Sequence, residues 1–152
     1  IEWLPKNIPD DDETSIVHGD YRLDNMILKD NQVMGILDWE LSTLGHPIAD
    51  FSYHCLSWRT QEAFWDQSKL KELGIPNERE YMDMYCENTG KDLSKNWEFY
   101  MAFNMFKIAG ILQGILGRVR DGTASSKHAE DRGMMVYPLS EAAWNTIKEN
   151  LL

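Results

Sequence analysis

The chain has 152 residues, about the length of one ordinary domain, and its 43% hydrophobic content with six Trp can build a sizeable core, which excludes a disordered tail. A formal net charge of −10 leaves no basic stripe to displace counterions from phosphates, which excludes a general nucleic-acid or anionic-membrane binder. A single nucleotide is not excluded, because a few local cations can hold one whatever the net charge.

The chain opens at Ile1 with Pro5, Pro9 and the aspartates Asp10 to Asp12. This stretch, residues 1–13, reads as a linker entering from something upstream. Thr14 to Val17 is a short β-like run that delivers His18-Gly19-Asp20 into a loop. Met26 to Lys29 and Val33 to Leu37 flank the turn-forming pair Asp30-Asn31 and predict a hairpin. The second strand ends at Asp38-Trp39-Glu40, and a loop through Gly45-His46-Pro47 leads to a helix over about Ile48 to Trp58. Asn77 with Glu80 three residues on marks a capping-box start, and Gly90 a stop, for a helix carrying Tyr81, Met84 and Tyr85.

The longest helix is expected from near Ser94. Trp97, Met101, Met105, Ile108, Leu112, Ile115 and Val119 recur at helical spacing and predict one buried face. Its most apolar part, Met101 to Leu116, is interrupted by Asn104, Lys107 and Gln113, which reads as a core helix too short and polar for a membrane span. A linker follows at 122–126, then a last helical segment that Pro138 should kink or divide. Cys55 and Cys86 lie in apolar helical stretches, with no Cys-x-x-Cys pair and no secretory signal, so a reduced, cytoplasmic setting is expected. The fold class predicted is α+β, mainly α: a helical body with a small β-element at its N-terminal edge, where the polar residues cluster.

The strongest chemical signal is His18-Gly19-Asp20-Tyr21-Arg22-Leu23-Asp24-Asn25, whose His-x-Asp-x-x-x-x-Asn spacing resembles a kinase catalytic loop. One hairpin later, where such enzymes place a metal-holding aspartate, stands Ile36-Leu37-Asp38-Trp39-Glu40. A hydroxyl is a poor nucleophile at neutral pH, so a carboxylate must reach its proton while the phosphoryl group lies in line; Asp20 suits that base. Asn25 returns a neutral amide oxygen able to ligate a metal, and Asp38 adds the charged oxygen that Mg²⁺ prefers. Glu40 could also reach the metal or be a solvated carboxylate. Arg22 and Asp24 are surface residues by default, though Arg22 could touch a phosphate.

Trp39 and Glu40 stand where protein kinases have Phe and Gly, and this pattern is similar instead to the aminoglycoside phosphotransferase family. The run from Asp38 through Gly45-His46-Pro47 and Asp50 to His54 resembles family members fused or adjacent to acyl-CoA dehydrogenases, as do Ile111-Leu112-Gln113-Gly114 and Ala124-Ser125-Ser126. The resemblance implies a protein-kinase-like C-terminal lobe over residues 14–152, with the hairpin element carrying the catalytic and metal loops. It implies ATP as phosphoryl donor, Mg²⁺, and transfer to a hydroxyl of a small molecule. It also implies that His18 braces the loop and that Asp50, at the start of the following helix, tethers its backbone. Only 17 residues precede His18, so the family's N-terminal lobe, with its phosphate-covering loop and lysine, is expected as a missing partner, and the fragment alone is expected to be inactive. The helices after Asp50 offer Trp58, Trp65, Tyr81, Tyr85 and Trp97, a poor lining for a polycationic aminoglycoside; the subgroup suggests a hydroxyacyl-CoA or another hydroxylated metabolite. Each of these aromatics could equally be core.

Two other readings compete. His46, Asp50 and His54 fall at four-residue steps and, with Asp20 and Asp38, could form a metal-hydrolase site, although Pro47 sets His46 before the helix and Phe51 and Phe64 suggest inward packing. Alternatively the chain is a non-catalytic interaction module, an isolated lobe that self-associates through surface meant for its partner lobe. Retention of Asp20, Asn25 and Asp38 argues against a degenerate parent.

Overall fold

The computed structural model describes residues 1–11, 13–60 and 67–151; Asp12, Phe64 and Trp65 lie outside the described residues. Among the described residues four short strands pair in two antiparallel ribbons. Strand β1 (Ser15–Val17) pairs with β4 (Thr43–Gly45), Ile16 opposite Leu44. Strand β2 (Met26–Lys29) pairs with β3 (Gln32–Ile36), with a bulge between Ile27 and Leu28. Asp30 and Asn31 both take positive φ, 50° and 59°, the turn geometry that matches strand twist in a tight hairpin. Strand β4 lies where a plain loop was expected. Its three residues carry no alternation of their own and are strand only because β1 lies alongside.

Six helices follow among the described residues: α1 (Pro47–Thr60), α2 (Gln67–Glu72), α3 (Glu78–Thr89), α4 (Trp97–Arg120), α5 (Ala129–Met134) and α6 (Val136–Asn150). Helix α1 begins with Pro at its first position, where the missing N–H costs nothing, and buries Ile48, Phe51, Ser52, Cys55 and Leu56, one face at helical spacing. Helix α3 has the full capping box: Asn77 accepts from the Glu80 amide, Glu80 accepts from the Asn77 amide, and Gly90 ends the helix at φ 71°. Helix α4 is the centre of the packing and contacts α1, α5 and α6. It is long and apolar enough to cross a membrane by length and composition alone, unlike the expectation for 101–116, yet its first half is core, with Met101 and Met105 fully buried. Asn104, an interruption of the apolar run, is buried too and donates to the Ala49 carbonyl (2.9 Å) and the Ser52 hydroxyl (2.8 Å), so α1 satisfies it.

Helix α4 starts at Trp97, three residues later than expected, and its buried face is wider than the predicted stripe, adding Phe99, Tyr100, Ala102 and Ala109. Beyond Ala109 the stripe residues Leu112, Ile115 and Val119 are only half-buried. The final segment is divided at Met135, and Pro138 sits in the first turn of α6, where proline is tolerated. Helix α5 approaches α4 closely because residue 133 is glycine: a Cβ there would lie 2.6 Å from Leu116 side-chain atoms. The N-terminal segment packs back on this body, Trp3 against Phe99 with centroids 6.1 Å apart.

Candidate active site

Residues 18–25 leave β1 and are held from three directions. Asp50, in the first turn of α1, accepts from the backbone amides of both His18 and Gly19, the latter at 2.8 Å. A carboxylate there is also favoured by the helix dipole. Gly19 has φ +83°, and a Cβ at this position would lie 2.6 Å from the Leu41 carbonyl oxygen, so only glycine fits the path. His18 is buried; its Nδ1 accepts from the Asp20 amide (3.2 Å) and its Nε2 pairs with the Leu37 carbonyl (2.8 Å). The two bonds together require the neutral ring with the proton on Nε2. The imidazole therefore spans the loop and the end of β3.

A single turn of 3₁₀ helix, Leu23–Asn25, brings Asn25 back beneath Asp20. The Asn25 amide nitrogen donates to the Asp20 backbone carbonyl (2.9 Å) and to Asp20 Oδ2 (3.0 Å), which turns its Oδ1 away from Asp20, without a hydrogen-bond partner among the described residues. The Asn25 carbonyl accepts from the Leu37 amide (2.8 Å), so the residue preceding Asp38 is tied directly to the loop. Asp38 itself is left-handed (φ 67°, ψ 50°) and exposed, and opens a 3₁₀ turn over Trp39–Leu41. Asp20, Asn25 and Asp38 thus share one edge of the molecule. Glu40 is exposed and makes no ion pair or hydrogen bond among the described residues. Arg22 lies between two carboxylates, 3.6 Å from Asp20 Oδ2 and 3.5 Å from Asp24 Oδ2.

Two residues at this site were not singled out from sequence. Tyr53, on α1, donates its hydroxyl to Asp20 Oδ1 at 2.6 Å. Lys107, on α4, donates to the Gly19 carbonyl and stands 4.8 Å from the centroid of the Tyr53 ring. Burial works to raise the Asp20 carboxyl, but the bonds from Tyr53 and Asn25 and the charges of Arg22 and Lys107 outweigh it and hold the group below its ordinary value. Tyr53 moves the other way: burial, then its bond to the Asp20 carboxylate, push its phenol well above the usual range. The one available signal was a lysine inside the apolar run of α4.

The hydrolase arrangement does not assemble. Both Asp50 oxygens are taken by backbone amides. His46 stacks on Tyr100, its Nδ1 accepts from the Ile48 amide, and its Nε2 lies 3.4 Å from Asp11 without the alignment of a hydrogen bond. His54 packs among Tyr21, Trp58 and Tyr81, where burial lowers its basicity. Among the described residues no group of three or more His, Cys, Asp or Glu side chains could hold a metal ion. The aromatics expected as an acceptor wall are largely structural: Trp97 is core, Tyr85 stacks on Phe51 at 3.8 Å and Trp58 on Tyr81 at 5.1 Å. A cavity of about 830 Å³ lies behind the loop between the N-terminal segment and α4, and Asp20 does not line it.

A hairpin-borne pair of loops braced on a helical body, with Asp20 and Asn25 paired in the first loop and the second tied to it through Leu37, defines the C-terminal lobe of a kinase-like fold. The profile of the Phosphotransferase enzyme family matches residues 1–85, and the chain belongs to that family. It is 49% identical to a candidate aminoglycoside phosphotransferase from Ralstonia eutropha whose solved structure superposes with a TM-score of 0.85, covering 97% of this chain and 47% of that one. It is also 43% identical to mouse acyl-CoA dehydrogenase family member 10 over 95% of its length, and 40% identical to human acyl-CoA dehydrogenase family member 11 over 92%. The chain spans 14% and 19% of those two relatives.

Proposed function

We propose that this chain carries the catalytic lobe of an ATP-dependent phosphotransferase that moves the γ-phosphoryl group of ATP to a hydroxyl of a small molecule. The observation that supports the reading is the Asp20–Asn25 pair: the amide nitrogen is spent on Asp20, which leaves the amide oxygen uncommitted, and the Asn25 backbone carbonyl holds Leu37, the residue before Asp38. Asp20 acts as base. It takes the acceptor's proton as the new oxygen–phosphorus bond forms and the bond to the β–γ bridging oxygen breaks, releasing ADP.

Asn25 Oδ1 and the Asp38 carboxylate would hold Mg²⁺. Two oxygen donors at an exposed edge leave the remaining positions to phosphate and water, as this ion requires. The ion, when bound, neutralises charge on the β- and γ-phosphates. His18 and Asp50 keep the loop in register, and Arg22, half exposed beside Asp20, is placed to meet an anionic group of either substrate. The acceptor we favour is a hydroxyacyl-CoA or a similar hydroxylated metabolite, a choice supported by similarity to acyl-CoA dehydrogenase family members rather than by any pocket in the chain. We place the reaction in the cytoplasm, with neither nucleic acid nor membrane as partner.

A second reading, self-association of the lobe, is favoured by apolar side chains on the β1–β4 ribbon, where Ile16 and Leu44 are 71% and 72% exposed. Sedimentation of the chain would expose a dimer, and a strict monomer removes this reading.

Calorimetric titration of Mg-ATP into the chain tests the main proposal. In the chain the expected pattern is binding that Asp38→Ala abolishes and Asp20→Asn spares, and in a protein carrying both lobes Asp20→Asn stops phosphoryl transfer. Binding indifferent to Asp38→Ala would defeat the metal assignment, and transfer surviving Asp20→Asn would defeat the base.

A further inference from the structure

A carboxylate acting as base must point one way. Asp20 stands at the open edge of the site with 22% of its side chain exposed, and its own loop restrains only Oδ2, through Asn25. The second oxygen is held from outside the loop, by the Tyr53 hydroxyl at 2.6 Å. Tyr53 is three residues beyond Asp50 on α1, so one face of that helix grips the loop twice. Asp50 takes the backbone amides of His18 and Gly19, and Tyr53 takes the side chain of Asp20.

Lys107 completes the arrangement from α4. Its ammonium spends itself on the Gly19 carbonyl and on the face of the Tyr53 ring. That carbonyl belongs to the peptide bond leading into Asp20, and Asp50 holds the amide at the other end of the same glycine. Opposite charges therefore clamp Gly19 at both ends. The cation over the ring keeps the phenol from swinging off the carboxylate.

We propose that Tyr53 and Lys107 are a positioning pair that sets the Asp20 carboxylate for reaction, Tyr53 through its hydroxyl and Lys107 through the Tyr53 ring and the Gly19 carbonyl. The proposal rests on the reading of Asp20 as base. A misdirected base in an otherwise intact site lowers turnover on the order of ten- to a hundredfold while leaving substrate affinity nearly unchanged.

The test is made on the isotopically labelled 152-residue chain, from the three-bond couplings between the Asp20 carboxyl carbon and its backbone nitrogen and carbonyl, which read its χ1 rotamer without any substrate. Wild type gives the couplings of one rotamer. Tyr53→Phe, which removes a single oxygen, and Lys107→Met both give averaged values, while Lys107→Arg keeps the single-rotamer values. The same couplings at buried Asn104 stay fixed, which separates loss of positioning from a loosened α4. Single-rotamer couplings persisting at Asp20 in Tyr53→Phe overturn the proposal, and this variant decides it should Lys107→Met not fold. Failure of the base reading is distinct: it appears as phosphoryl transfer surviving Asp20→Asn in a protein carrying both lobes, whatever the couplings do.

Discussion

Trp39 lays its indole against the His18 ring, centroids 4.7 Å apart and planes at 57°, and donates its Nε1–H to the Ile36 carbonyl at 2.8 Å. The residue after Asp38 is thereby fixed to the residue that opens the 18–25 loop. With 47% of its surface exposed, Trp39 contributes modestly to the core. Trp39→Ala should cost ~1 kcal/mol of stability, the scale of an aromatic pair, yet weaken Mg-ATP binding by about tenfold because Asp38 loses its support. Denaturant melts and calorimetry measure the two separately. Equal affinity in the variant would mean that the Asp38 turn holds its own shape.

Arg59 joins three helices. Its guanidinium bonds Glu78 at the start of α3 (2.7 Å from Nη2) and Glu98 at the start of α4 (2.8 Å), and Glu78 also accepts from the Trp97 indole. Burial alone would lower the guanidinium, but the two carboxylates raise it further above its usual range. Arg59→Met leaves two like charges facing each other. The cost expected is about 2–3 kcal/mol, less than for a fully buried pair because the side chains of Arg59, Glu78 and Glu98 keep 21–25% of their surface. Adding Glu98→Gln should recover part of it. Urea unfolding of the single and double variants tests this, and a double variant no more stable than Arg59→Met would leave repulsion without a role.

Burial raises the thiol of Cys55 and the phenols of Tyr53, Tyr81, Tyr85 and Tyr100 above their ordinary values. In alkaline solution the unfolded chain therefore loses these protons first and binds fewer of them than the folded one. Stability is complete below the ordinary thiol range and falls as pH rises through about 8.5 and then about 10, at up to ~1.4 kcal/mol per pH unit for each group. Cys55→Ala should flatten the first part of that decline. A thiol reagent at pH 8 should modify the partly exposed Cys86 in the folded chain and reach Cys55 only on unfolding. Two equally fast thiols would contradict the burial of Cys55.

What was legible in the sequence was local. The Asp30-Asn31 turn and the Asn77/Glu80 box are short-range patterns, and each folded as its chemistry dictates; the stripe of α4 is a buried face only at Trp97, Met101 and Met105, where α1 and α6 cover it. The 18–25 loop was legible because the spacing from Asp20 to Asn25 lies within one loop. Strand β4 was hidden because its partner is 28 positions away, Leu44 against Ile16, and a three-residue strand has no periodicity of its own. Tyr53 and Lys107 were hidden for the same reason: they meet Asp20 only when α1 and α4 pack, across separations of 33 and 88 residues to the atoms they touch. The sequence left the aromatics after Asp50 open between acceptor wall and core, because helical spacing does not distinguish an aromatic that lines a pocket from one that fills a core.

Gly19 and Gly90 both have positive φ, 83° and 71°, but differ in what surrounds them. A Cβ on Gly90 meets nothing within 4 Å, so Gly90→Ala carries only the left-handed backbone cost, about 1–2 kcal/mol. A Cβ on Gly19 meets the Leu41 carbonyl at 2.6 Å and the Leu41 Cβ at 3.1 Å, and backbone cannot step aside as a side-chain tip can. Gly19→Ala must therefore shift the peptide that Asp50 and Lys107 clamp, and with it Asp20. The expected result is a loss of stability larger than in Gly90→Ala, together with displaced amide resonances at His18 and Asp20. Gly90→Ala should leave those resonances as they are. Equal destabilisation by the two substitutions, with the His18 and Asp20 amides unmoved, would mean that the loop can pass Leu41 with a side chain at position 19, and that the clamp is not what fixes its path.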